Sequence, residues 1–129
     1  MAIQRNVVHT EAAPKAVGPY SQAIRCGDMV FTAGQVAIDP ALGRVVAESV
    51  EDQTRQVLKN LRAVLEAAGS GLDLVVKCTV FLTDMGEFSR MNGVYAEFFP
   101  EAPPARSAVQ VAALPLGVKV EIEAVALTR

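Results

Sequence analysis

Between Ser49 and Gly69 the apolar positions Val57, Leu58, Leu61, Val64, Leu65 and Ala68 recur at three- and four-residue steps, the spacing that lines up one face of an α-helix. Ser49 stands where an N-cap belongs with Asp52 three residues on, Glu51 and Arg55 sit one turn apart as an ion pair, and Gly69 is placed to end the helix. The period then drops to two. In LDLVVKCTVFLTD, Leu74, Val76, Cys78, Val80 and Leu82 share one side while Lys77, Thr79 and Thr83 share the other, which predicts a long strand with one buried face. Asp84, with Glu87 three residues later, marks the cap of a second helix whose Phe88, Met91, Tyr95 and Phe98 form one apolar stripe, ended by Pro100 and the Pro103-Pro104 pair.

Alternation from Arg25 to Val36, broken at Cys26-Gly27-Asp28, predicts an antiparallel hairpin. A loop marked by Asp39-Pro40 and Gly43 follows it, and two closing strands, about Arg106 to Ala113 and Val118 to Leu127, are joined by the turn Pro115-Leu116-Gly117. The order is ββ, αβ, αββ, and a first strand in the N-terminal stretch around His9 makes six, all in a single domain over residues 1–129. This is an α+β arrangement. Two helices cannot cover both faces of a six-stranded sheet, so they pack on one and leave the other needing cover. The strand after Arg106 agrees: Ala108 and Ala112 on one side, and Val109, Val111 and Ala113 on the other, leave neither side suited to water.

Composition sharpens the same expectation. Half of the 129 residues are apolar and the mean hydropathy is +0.29, oily for so small a chain, so a second copy is the expected cover. A net charge of −2 with scattered Lys and Arg offers no field for a phosphate backbone, which argues against a nucleic-acid partner. The longest uncharged run, Ser107 to Val118, is twelve residues and contains Pro115, short of the roughly 20 needed to span a bilayer. With no export signal in the pattern before Pro14, a cytoplasmic location is expected, and Cys26 and Cys78 are read as reduced thiols.

Few residues are left for chemistry. One histidine, His9, and two distant cysteines do not make a metal site, and no Gly-rich phosphate loop or Ser/His/Asp set is present. Cys78, on the buried side of its strand, reads as a small core residue. Arg106, Tyr20, Glu121 and Glu123 remain. Arg106 is the one charge in the stretch Pro103 to Pro115. By pattern alone it either reaches water or a structural carboxylate, or offers a fixed fork of donors to a ligand carboxylate. Lys119, Glu121 and Glu123 share a side opposite Val118, Val120, Ile122 and Ala124, which fits a solvated sheet face as well as a site.

The segments VGPYSQAI, MVFTAGQVAIDPALG, LEAAGSGLDLVVKCTVFLTDM, FSRMNGVYAEFF and PPARSAVQVAALPLGVKVEIEAVAL together resemble the RidA/YjgF family of reactive-imine deaminases, formerly the endoribonuclease L-PSP family, nearly end to end. The resemblance implies a chorismate-mutase-like fold and a homotrimer with sheets inside, helices outside and ligand clefts between subunits. It implies hydrolysis of 2-aminoacrylate, 2-aminocrotonate and their imine tautomers, released by PLP-dependent dehydratases, to 2-keto acids and ammonium: a 2-iminobutanoate/2-iminopropanoate deaminase that uses no cofactor. By motif, Arg106 resembles the carboxylate anchor, Tyr20 a cleft-lining group, Gly34 a backbone donor, Asn92 a position near the cleft, and Glu121 the residue associated with the hydrolytic water. Two positions depart from the familiar bacterial pattern: Ala33, which lacks a hydroxyl, and Ser107, which keeps any backbone role and offers no thiol. The competing class is a non-catalytic trimeric module that binds small carboxylates or regulates a partner; an endoribonuclease fits an acidic chain without acid/base histidines less well.

Overall fold

The computed structural model of the chain describes residues 2–129. The first predicted helix is α1, Val50–Ala67, with Ser49 Oγ accepting the Asp52 N–H at 3.1 Å. Gly69, at φ +79°, lets the chain turn back so that its N–H meets the Glu66 carbonyl at 3.1 Å and the Ser70 N–H meets Leu65 at 2.8 Å, a closure that satisfies the orphan carbonyls of the last turn. The expected Glu51–Arg55 pair does not form. Both residues reach instead to the second helix, α2 (Phe88–Phe98): Arg90 holds the Glu51 carboxylate through two bonds of 2.8 and 3.0 Å, and Arg55 meets Glu97 at 3.1 Å. These pairs are open to water, where screening and side-chain entropy leave them little net strength, so they set alignment more than stability.

Six strands, β1 (Arg5–Val8), β2 (Ala23–Cys26), β3 (Met29–Thr32), β6 (Val75–Leu82), β7 (Ala105–Gln110) and β8 (Val120–Leu127), make one sheet in the order β1-β2-β3-β8-β6-β7. All neighbours are antiparallel except β6 and β7, which α2 connects in parallel. The predicted loop around Gly43 holds a small hairpin of β4 (Ile38–Asp39) and β5 (Arg44–Val45). Asp84 caps a single 3-10 turn, Met85–Glu87, through the Gly86 N–H at 2.8 Å, and α2 begins only after that turn. The sequence reading placed Val76 on the buried side of β6, and the structure reverses it: a bulge between Val75 and Lys77 shifts the pleat by one, leaving Val75 8% exposed and Val76 40%.

Both helices lie on one face. Beneath them Val30, Val80, Leu82, Val120, Ile122 and Ala126 close against Val57, Leu58, Leu61, Leu65 and Met91 with no exposure at all. The other face carries Val7, Phe31 and Val109 largely open, with Phe31 48% exposed. Among the described residues no helix is long and apolar enough to cross a membrane.

Candidate active site

Past β3 the chain bends, and Gln35 makes a two-way backbone bridge with Ile122 at 2.9 and 3.1 Å. That bridge lays Gly34 against the Glu121 side chain on β8. The approach explains the glycine: a β-carbon there would fall 2.7 Å from Glu121 Cδ and 2.9 Å from its Cγ. A cavity of about 690 Å³ opens over this contact, lined by Tyr20, Ala33, Gly34, Val36, Leu116 and Glu121 among others. Tyr20 stands 51% exposed at its edge. Leu116 closes another side from a strained turn, at φ +60° without being glycine. Burial holds the Glu121 carboxyl above the ordinary carboxylate range, and the charge of Glu123, two residues along on the same side, adds to the rise.

Arg106 belongs to a different set. On β7 it is in register with Cys78 of β6, whose side chain is fully buried under the helices, so the guanidinium also turns to the helix side. There Asn92 Oδ1 accepts its Nη1 hydrogen at 2.7 Å, and the rings of Tyr95 and Phe88 flank it, with centroids 4.8 and 5.3 Å from Cζ. Aromatic faces favour a cation and fix the plane of its fork. A second cavity, about 460 Å³, borders Arg106, Asn92, Tyr95 and Pro103. Deeper still, burial pushes the Cys78 thiol up, against opposing pulls from Tyr95 and Arg106, and burial followed by the thiol pushes the Tyr95 hydroxyl up. Tyr95 Oη is buried without a hydrogen-bond partner among the described residues. Cys78 is therefore an inert core thiol under the cation, as its strand position predicted.

The residues singled out from sequence thus separate into two groups. Tyr20, Ala33, Gly34 and Glu121 meet on the bare side; Asn92 and Arg106 meet on the helix side. Register makes the division plain, because Arg106 aligns with Cys78 and Ala124, both facing the helices, whereas Glu121 lies opposite Phe81 on the other face. Ser107 also faces the bare side, where its Oγ accepts from Lys77 Nζ at 3.0 Å. Sequence reasoning put Phe88 and Tyr95 on the apolar stripe of α2, where Tyr95 is indeed buried in the core with Phe88 packed against it, and missed that their rings also flank Arg106. The available signal was Asn92, a polar residue one helical turn from each of them.

Comparison with known proteins fixes the family. A family model described as Endoribonuclease L-PSP matches residues 10–128. The chain belongs to this family, that of RidA and YjgF. Among its members, the mouse protein named 2-iminobutanoate/2-iminopropanoate deaminase is 47% identical over 98% of this chain and 93% of its own length. The structure of the Escherichia coli YjgF gene product superposes with a TM-score of 0.91 at 45% identity, covering 96% of this chain and 99% of that one. Escherichia coli TdcF, solved with bound serine, gives 0.91 at 44% identity with the same coverage, 96% and 99%. The chorismate-mutase-like sheet with both helices on one face is therefore the RidA/YjgF fold.

Proposed function

We propose that this chain hydrolyses 2-imino and 2-enamino carboxylates of the 2-aminoacrylate and 2-aminocrotonate type to 2-keto acids and ammonium, in clefts that neighbouring copies of a homotrimer build together. One observation carries the reading: Arg106 is held in place by Asn92, Phe88 and Tyr95, yet among the described residues no carboxylate lies within 4.0 Å of it. A cation braced on three sides without a counter-charge is prepared for an anionic group from outside. The relatives support the class, since one is named an imine deaminase and another was solved holding serine, a small molecule with a carboxylate.

The chemistry follows from the two groups. With the carboxylate on Arg106, the enamine form first takes a proton at its β-carbon and becomes the protonated imine. Water then adds across C=N: its oxygen bonds to carbon while one hydrogen passes by way of Glu121 to nitrogen. The tetrahedral product collapses as its hydroxyl gives a proton to Glu121 and C–N breaks, and the departing ammonia takes that proton and leaves as ammonium. A carboxyl whose pKa burial has raised suits a group that must take and return protons near neutrality. An imine carbon is already electrophilic, so orientation and one proton shuttle suffice. Because Glu121 and Arg106 face opposite sides of one sheet, they reach a single ligand only from different copies. Edge strand β7 and the bare face are the surfaces left for that contact.

Coupling a threonine or serine dehydratase to 2-keto acid detection tests the proposal. Losing a buried anchor of this kind costs about 2–5 kcal/mol, so Arg106→Ala is expected to lower turnover roughly 30-fold to several thousand-fold. Near wild-type activity in that variant would remove the anchor role. Binding of a short keto acid without any acceleration would instead favour a carboxylate-sensing module. The name of the family also invites an RNA assay; the one histidine, His9, is exposed and lines a separate cavity, and only cleavage abolished by Arg106→Ala would support that activity. A mass measurement in solution reads the trimer directly.

A further inference from the structure

We infer that Gln22 is a positioning residue: it holds the segment 10–20 as a partition wall of the Tyr20–Glu121 cavity, and through that wall sets the size of substrate side chain the site accepts. The inference deepens the deaminase reading and rests on it for its kinetic test. Gln22 is 3% exposed, and its amide makes every polar contact that ties the segment down. Its Oε1 accepts the Thr10 N–H at 2.7 Å, and its Nε2 donates to the carbonyls of Pro14 at 2.8 Å, Thr10 at 3.0 Å and, less closely, Ala13 at 3.4 Å. Among the described residues no other hydrogen bond joins residues 10–20 to the rest of the chain. The remaining bonds there are internal: Ala12 N–H to Thr10 Oγ1, Tyr20 N–H to the Gly18 carbonyl and Val17 N–H to Tyr20 Oη. Apart from that amide, the buried methyl of Ala13 is the segment's main hold on the core.

The wall has a cavity on each side. The one over Glu121 measures about 690 Å³; the one on the His9 side measures about 460 Å³. Pro14, Lys15, Val17, Ile38 and Gly43 border both, so the segment, together with Ile38 and Gly43 of the β4–β5 hairpin, stands between them. Remove the amide and four backbone groups beneath the surface lose their partners. Buried polar groups do not stay unpaired, so the segment lifts toward water, the partition thins, and Tyr20 and Val17 leave their places on the inner side. A small substrate is then held loosely, while one with a bulky side chain gains room.

The test uses two variants of the full chain. Gln22→Met keeps the length and removes all hydrogen bonding; Gln22→Glu keeps an acceptor for the Thr10 N–H and turns a carboxylate toward the three carbonyls. Hydrolysis is followed on 2-iminopropanoate and on the imino acid of phenylalanine, both generated by an amino-acid oxidase, and amide hydrogen exchange is measured on the same samples. For Gln22→Met, kcat/KM on 2-iminopropanoate is expected to fall roughly ten- to a hundredfold, mainly through KM, and the preference for the small substrate over the large one to shrink. Amides of residues 10–20 should exchange faster while those of α1 and β6 keep their protection. An unchanged preference, or unchanged exchange in the segment, overturns the inference. If exchange rises throughout the chain, Gln22→Glu decides: selectivity lost while α1 stays protected supports a wall, and selectivity kept refutes it. Should the wild-type chain hydrolyse neither imine, the deaminase reading falls by itself, and exchange in the segment together with calorimetric binding of pyruvate against phenylpyruvate still decides the role of Gln22.

Discussion

Along β8, Val120, Ile122, Ala124 and Ala126 are shut away beneath the helices, while Glu121, Glu123 and Val125, the residues between them, stay half open. Neighbouring strands repeat the contrast: Val30 is fully buried and Phe31 beside it is 48% exposed. One side of the sheet is finished by its own chain, with α1 and α2 as the lid; the other holds aromatic and branched residues that water covers poorly. The candidate site straddles the two. Its cation is braced on the finished side by α2 and its carboxyl stands on the unfinished side, so the proposed activity requires a second copy to bring the two together.

That contrast can be broken most sharply by matched substitutions. Leu61, fully buried in α1, loses its packing as Leu61→Ala, and stability should drop by about 2–5 kcal/mol whatever the protein concentration. Phe31→Asp, on the open side, should leave the folded chain standing and shift the species seen by light scattering toward smaller mass. If both variants lowered stability equally and neither changed mass, the two sides would not differ as described. Gly34→Ala is the next step down. The new methyl meets the Glu121 side chain, the mobile partner in the contact, so the carboxyl swings aside while the fold persists. Displacement of a reacting group by about 1 Å typically costs up to roughly a hundredfold, so turnover should fall by about that order with little change in melting temperature. A Gly34→Ala enzyme with full turnover would mean that the position of Glu121 does not matter.

Much of the finished side was legible in the sequence because it depends on repeats within one element. The 3.6-residue period of α1 and the alternation in β8 state which residues go inside, and Ser49 and Gly69 mark the helix ends by local chemistry. What failed depends on how elements meet. Val75 and Val76 are equally apolar, so nothing in the string shows the bulge that exchanges them. Glu51 and Arg55 are one turn apart, yet each finds a better-placed partner on α2. In the site, Arg106 stood out as a lone charge among apolar residues, and Gly34 and Glu121 through their motifs. That Arg106 and Glu121 face opposite ways follows only from the register of β7 on β6, which a single strand does not encode. Gln22 was invisible for a similar reason: a polar residue between a loop and a strand looks like surface until the segment it holds is seen folded over it.

The finest distinction lies between the two acids on the open side. Glu121 is raised by burial first and by the charge of Glu123 second. In the proposed hydrolysis it is the base and works ionised, so the rate should climb with pH through its pKa, and that acid limb should lie above the ordinary carboxylate range. Glu123→Gln removes the smaller cause: the limb should move to lower pH, without returning fully, because burial remains. Stability runs in the opposite sense. The fold binds the Glu121 proton more tightly than the unfolded chain does, so stability contributed by the neutral form is present below the ordinary carboxylate pKa. It declines as pH rises through the raised value, and Glu121→Gln should flatten that decline. Profiles of kcat/KM against pH for the wild type and Glu123→Gln decide the matter. A limb that stays put would show that the charge of Glu123 does not reach Glu121, and one that moves to higher pH would mean the titrating group is a different one.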